Sequence, residues 1–167
     1  MNNFGTTLWN LFENVLNLIA FKALHLKLRD ETWDKFIQFV KFGIVGVSNT
    51  VISYVLNVLV LLALRSWEVS WDFVAANVVA FVLSVLWSFY WNNRFVFVVQ
   101  DGEKRDIGKT LVKTYLSYGF TGIILNNILS WLWISVFGIS KYVAPLINLI
   151  ISVPLNFVIN KFWAFRM

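Results

Sequence analysis

The chain has 167 residues, of which 59% are hydrophobic, 18% aromatic and only 14% charged. That is too apolar for a soluble domain of this length, where about half is usual, so it reads as an integral membrane protein with room for four spans and short connections. The formal charge of +5 lies beside the apolar stretches, where topology and anionic lipid account for it without nucleic acid, and the absence of cysteine excludes a disulfide framework or a thiolate metal site.

Residues 4 to 21 place Phe4, Leu8, Phe12, Val15, Leu16 and Ile19 on one side of a helix and Asn10, Glu13, Asn14 and Asn17 on the other. This is the pattern of an amphipathic helix lying in the membrane interface. No basic region followed by a short apolar core and a small-residue site precedes it, so no cleavable signal peptide is expected. The stretch from Leu24 to Lys35 carries mixed charge and belongs in water or among headgroups; it closes an N-terminal segment of residues 1–35. His25 lies within it, as an interfacial side chain rather than a proton carrier, and Asp30, Glu31 and Asp34 read as a solvated helix face rather than a metal site.

Four uncharged stretches follow: 23 residues between Lys41 and Arg65, 21 between Asp72 and Arg94, 27 between Lys113 and Lys141, and 19 from Tyr142 to Asn160. Each is long enough to cross a hydrocarbon core of roughly 30 Å. The predicted fold is an all-α integral membrane domain over residues 36–167, with spans near 42–64, 73–93, 114–137 and 142–161. Five Lys or Arg precede the first span, five lie from Arg94 to Lys113 and two follow the last, against one in each other connection. By the positive-inside rule both termini and the middle loop are cytoplasmic. That loop, Asp101 to Lys109 with Gly102 and Gly108, separates two halves that look alike. Gly43-x-x-Gly46 in span one matches Gly119-x-x-Gly122 in span three, and Asn93-Arg94-Phe95 matches Asn160-Lys161-Phe162 at the ends of spans two and four. The halves are therefore expected to be parallel-repeat hairpins.

Each span has a polar seam. Asn49, Ser53 and Asn57 recur every four residues in span one; Asn77, Ser84, Ser88 and Asn92 recur in steps suited to a helix face in span two. Span three has Gly119, Gly122, Asn126, Asn127 and Ser130, and span four Asn148, Ser152, Asn156 and Asn160. Amides and hydroxyls of this kind hold membrane helices together. Ten asparagines in or at the rim of four spans exceed that need, and amides that donate and accept at once suit sugar hydroxyls. Lys41, Arg94, Lys113 and Lys161 mark the cytoplasmic ends, one per helix; they serve topology and snorkelling, or form a ring that receives a phosphate. Trp163, Phe95, Phe97, Phe162 and Phe165 read as an interfacial aromatic belt. Pro154 removes a helical hydrogen bond to Ile150 and is expected to kink span four beside Asn156, a possible gate. No Asp or Glu lies inside a span, which argues against proton coupling and against embedded hydrolysis or transfer, so neither an enzyme nor a cofactor is expected.

The entry Phe39-Val40-Lys41-Phe42-Gly43-x-x-Gly46, the motif Asn93-Arg94-Phe95-x-Phe97 and the ending Asn156-Phe157-x-x-Asn160-Lys161-Phe162-Trp163-x-Phe165 resemble the GtrA-like family of small four-span proteins. The resemblance runs from about Phe36 to Phe165. It implies a protein of the bacterial cytoplasmic membrane that moves a polyprenyl-phosphate-linked sugar to the outer leaflet for a partner glycosyltransferase, in O-antigen or teichoic acid glycosylation, with Asn93, Arg94, Asn156, Asn160 and Lys161 as motif positions. Four helices enclose little volume, so a homo-oligomer or a complex with the transferase is expected. Two other readings share the sequence features: a non-transporting partner that recruits or stabilises a glycosyltransferase, and a small multidrug exporter, although the acidic residue such exporters use is absent.

Overall fold

The structure, a computed structural model, describes residues 4–18, 30–65, 72–99, 104–140 and 143–166. Residues 19–21 of the expected first helix, His25 with the rest of the stretch before Asp30, Asp101 and Gly102 of the middle loop, and Lys141 with Tyr142 lie outside them. The described residues form an all-α membrane protein: α1 is Phe4–Asn17, α2 Asp30–Leu64, and α3 Asp72–Trp91, extended by a π-helical turn Asn92–Val96. α4 runs over Ile107–Val136 and contains π-helical turns at Phe120–Leu125 and Leu132–Val136. α5 is Ala144–Ile159, ending in a fourth π-helical turn Asn160–Ala164. Helices α2 to α5 are each long and apolar enough to cross a membrane, and as helices they satisfy their own backbone polar groups there.

Local chemistry sets the ends. Asp106 caps α4, its carboxylate accepting from the Lys109 backbone N–H at 3.0 Å, which satisfies one of the otherwise unpaired first-turn donors. After α4 the chain reverses through Gly138, whose φ of +66° lies in the left-handed region that a side chain disfavours. At the other end of the bundle α2 begins six residues before the boundary expected at residue 36, with the Lys35–Glu31 pair at 2.6 Å on its exposed face. The last of the mixed-charge stretch is thus the first turns of the first span, because nothing between Asp30 and Lys41 breaks a helix.

α2 packs along α3 and α4 along α5, and the two hairpins meet at the end that carries Arg94, Lys113 and Lys161. The core there is aromatic. Phe97 and Phe165 stack at 4.6 Å between ring centroids, with Phe42 and Phe157 against Phe97 at 6.0 Å each and Phe89 against Phe165 at 5.8 Å. At 5% and 3% exposed, Phe97 and Phe165 are core residues rather than belt residues. Phe162 and Trp163 are exposed as an interfacial belt requires, and Phe95 lies against Trp91 and Trp9.

The repeat holds, in a different register. Both hairpins end in a five-residue π turn, NNRFV and NKFWA, closed by the N–H of a phenylalanine to the carbonyl of the first asparagine: Phe97 to Asn92 and Phe165 to Asn160, each 2.8 Å. Asn92, not Asn93, is therefore the counterpart of Asn160, and Arg94 does not correspond to Lys161. Two asparagines in a row made the sequence ambiguous; the bond across the π turn decides between them. The glycine pairs do not bring helices together within the chain, since a Cβ built on Gly43, Gly46, Gly119 or Gly122 meets nothing within 4 Å. Pro154 is exposed on an α5 that runs unbroken through it.

Candidate functional site

The polar seams resolve into two side-chain networks and one open notch. Asn92, completely buried, donates from Nδ2 to Ser88 at 3.1 Å and reaches the Tyr118 hydroxyl at 3.5 Å, while Ser88 and Tyr118 share a bond of 2.5 Å. In the other hairpin Asn160, equally buried, donates to Ser117 at 3.0 Å and to the Asn156 side chain at 2.9 Å, and Ser117 donates to Asn156 at 2.9 Å. Ser117 and Tyr118 are neighbours on α4, so one helix serves both networks. Farther from the cationic end, Asn148 donates to Ser130 at 2.8 Å and to the Asn126 carbonyl at 3.2 Å, while Asn127 is exposed and donates to the Ile123 carbonyl of its own helix. Most of these contacts join helices, and the side-chain oxygens of Asn92, Asn126, Asn148 and Asn160 are buried without a hydrogen-bond partner among the described residues.

The notch lies between α2 and α3. It has a volume of about 410 Å³ and is lined by Asn49, Thr50, Ser53, Asn57, Asn77 and Phe81 among others. Asn57 donates to Asn77 across its floor at 2.8 Å. The Asn49 side-chain oxygen is buried there without a hydrogen-bond partner among the described residues. Asn49 and Asn57 stand 8 and 16 residues past Lys41, about 12 and 24 Å along the axis at about 1.5 Å per residue, so the notch opens sideways at membrane depth.

The four expected phosphate-binding cations share one end but not one centre. Lys41 pairs with Glu13 of α1 and lies 5.8 Å over the Trp9 ring. Lys161 donates to Gln38 at 2.5 Å, and Gln38 donates to the Val96 carbonyl at 2.9 Å, tying α2 to both terminal π turns. Lys113 donates to the Trp163 carbonyl at 3.0 Å, and Arg94 is exposed, over the ring of Phe95. Asn93, expected in the polar seam, instead accepts from Arg105 at 2.8 Å at the loop end.

Arg105 was not legible as a site residue. Besides Asn93 it donates to the Phe97 carbonyl at 2.7 Å and stacks 5.3 Å over Phe165, so it bolts the middle loop to both repeats. Burial pulls its guanidinium below the ordinary arginine value, though arginine remains charged at neutral pH. Gln38 and Tyr118 were missed too. The signal for Tyr118 was a phenol inside an uncharged span, which needs a hydrogen-bond partner. Among the described residues no group of three or more His, Cys, Asp or Glu is placed to hold a metal.

Two helical hairpins joined at an aromatic, cation-rimmed end, with amide networks inside and a polar notch on the flank, define a small multi-pass membrane protein built on a duplicated unit. The family model described as "GtrA/DPMS, transmembrane domain" matches residues 41–165, and the chain belongs to that family. The cell wall teichoic acid glycosylation protein GtcA of Listeria innocua serovar 6a is 28% identical over 98 residues, which cover 59% of this chain and 67% of that protein. The protein of the same name from Listeria monocytogenes serovar 1/2a is 25% identical over 104 residues, 62% of this chain and 71% of its own. No solved structure matches the chain. The match begins at Lys41, so α1 and the first turns of α2 lie outside the family unit.

Proposed function

We propose that this protein is a flippase that carries a polyprenyl-phosphate-linked monosaccharide from the cytoplasmic to the outer leaflet of a bacterial cytoplasmic membrane, for glycosylation of a cell-surface polymer by a membrane glycosyltransferase. The observation that carries the reading is the notch: six hydrogen-bonding side chains, Asn49, Thr50, Ser53, Tyr54, Asn57 and Asn77, line it at membrane depth, and the buried Asn49 side-chain oxygen has no partner among the described residues, where an unpaired polar group is costly. A hydroxyl-rich head group entering from the side, with its chain left in lipid, meets that need. The cationic end faces the cytoplasm by the positive-inside rule, and of the four cations there Arg94 is exposed and open to a phosphate. Membership of the family and the names of the Listeria relatives support a role in cell-wall glycosylation. With no carboxylate in the notch, exchange runs down the gradient set by sugar consumption outside.

The test is scrambling of a polyprenyl-phosphate-sugar in liposomes that contain only this protein, scored by an impermeant reagent. Exchange above protein-free vesicles, insensitive to a pH gradient, is expected. One observation favours a second reading, a non-transporting partner that stabilises a glycosyltransferase: Asn92 and Asn160 donate and Asn156 accepts within the chain, as structural residues do. No exchange by folded protein, together with recovery of transferase activity on co-reconstitution, selects that reading instead.

A further inference from the structure

An apolar groove of about 650 Å³ runs along α4 between α3 and α5, lined by Phe81, Tyr115, Gly119, Phe120, Ile159 and Trp163 among others. Its residues on α4 extend from Tyr115 to Ile124, so it is about 13 Å long and begins about 3 Å inward from Lys113. Lys113 stands at the mouth. It shares the helix face of Leu116 and Phe120, three and seven residues on, donates to the Trp163 carbonyl at 3.0 Å and lies 5.6 Å over the Trp163 ring. That bond uses one of the three donors of an ammonium, and among the described residues the others are open to a ligand.

In the other half of the duplication the equivalent place is filled by rings. With Asn92 matched to Asn160, Phe95 corresponds to Trp163 and Trp91 to Ile159. Phe95 likewise lies under a cation, Arg94 at 5.5 Å. But where Ile159 leaves room, Trp91 stacks on Phe95 at 5.1 Å, and Trp9 of α1 lies against the same ring at 5.9 Å. The second copy of the unit keeps open what the first has closed. We propose that the α4 groove seats the chain of a prenyl phosphate from the cytoplasmic leaflet, with the phosphate at Lys113 in the mouth and the sugar beyond it in the interface. Charge and direction agree: the mouth lies at the cationic end, which faces the cytoplasm by the positive-inside rule, and the groove leads from there into the membrane. One groove under one cation suits a lipid with a single chain, whereas a diacyl lipid leaves its second chain outside. Bulk lipid tails are as apolar as the groove, so the chain is held by packing and by its anchored phosphate, not by escape from water. This rests on the glycolipid-carrier reading and adds a loading position distinct from the notch, where the lipid is held before its sugar enters the membrane.

The experiment is photo-crosslinking in phosphatidylcholine liposomes with a prenyl phosphate that bears a diazirine on its second isoprene unit. Label is expected on α4 between Tyr115 and Ile124. Unlabelled prenyl phosphate displaces it; the matching prenol does so about tenfold less well, the scale of one charge-assisted hydrogen bond, and phosphatidylglycerol no better than the prenol. Lys113→Gln, which keeps a donor for the Trp163 carbonyl, is expected to lower labelling about tenfold, and Lys113→Arg to retain it. Ile159→Trp, which puts into the groove the ring that the first half holds at Trp91, is expected to lower labelling at least about fivefold with helix content unchanged by circular dichroism. If that variant misfolds, the lysine variants and the wild-type competition decide. Displacement by phosphatidylglycerol as effective as by prenyl phosphate, equal labelling of all four spans, or full labelling of folded Ile159→Trp overturns the site. Failure of the carrier reading is separate: it is absence of scrambling by a protein whose groove still takes the label.

Discussion

Asn92 and Asn160 are the residues on which the two halves turn, because each is fully buried and does two things at once. The backbone carbonyl closes the π turn through Phe97 or Phe165, and the carboxamide joins its helix to α4. Interhelical amide bonds in membranes contribute about 0.6 kcal/mol on average and about 1–2 kcal/mol in favourable cases. Asn160→Ala removes a donor shared by Ser117 and Asn156 and is expected to destabilise the protein by about 1–2 kcal/mol, read as the midpoint of unfolding in mixed micelles. Asn127→Ala, at an exposed amide bonded to its own helix, is the control and is expected to change stability by less than about 0.5 kcal/mol. An Asn160→Ala protein of unchanged stability that has lost exchange activity contradicts this assignment and makes Asn160 a substrate contact. For the notch the expectation is reversed: Asn57→Leu with Asn77→Leu replaces a polar pair in lipid by apolar surface, and is expected to preserve folding while exchange falls at least about tenfold. A variant pair with full exchange removes the notch from the pathway.

Among the elements, α1 stands apart. It lies outside the family unit, and among the described residues it meets the bundle through Glu13 with Lys41, Trp9 against Phe95 at 5.9 Å and beneath Lys41, Leu16 against Trp33 and Ile37, and the Trp33 indole donating to Asn17 at 2.5 Å. Leu11, Val15 and Leu18 face outward on it, consistent with a helix that rests on the membrane surface. Most of its described side chains are exposed, which implies local opening below the global unfolding free energy. Glu13→Gln combined with Trp33→Phe is expected to raise amide hydrogen exchange over residues 4–17 and leave α2 to α5 unchanged; protection that persists in α1 shows that the bilayer, not these bonds, holds it. The π turns are the second lesson at this scale. Hydropathy sees a span end at Asn93 or Asn160, but each helix continues for a wider turn before the chain leaves it, and that turn sets which aromatic ring points inward.

Across the whole molecule, the hairpins are joined chiefly at one end, by the rings of Phe42, Phe97, Phe157 and Phe165 and by the bridges through Gln38 and Arg105. Phe97→Ala and Phe165→Ala, alone and together, are expected to show a coupling of about 0.5–1.5 kcal/mol, as stacked rings do; additive effects place the join elsewhere. Four spans, a helix before them and the cationic end were legible in the sequence, because charge-free length and apolar composition are properties of each segment by itself and the bilayer reads them segment by segment. The inward faces were not. Asn49, Asn57 and Asn77 fell together as their spacing suggested, whereas Asn93 turned to Arg105, Lys41 to Glu13, and Phe97 and Phe165 into the core. Helix rotation and the register of the terminal π turns depend on which side chains a neighbouring helix offers, and no single span carries that information. Only tertiary packing decided it.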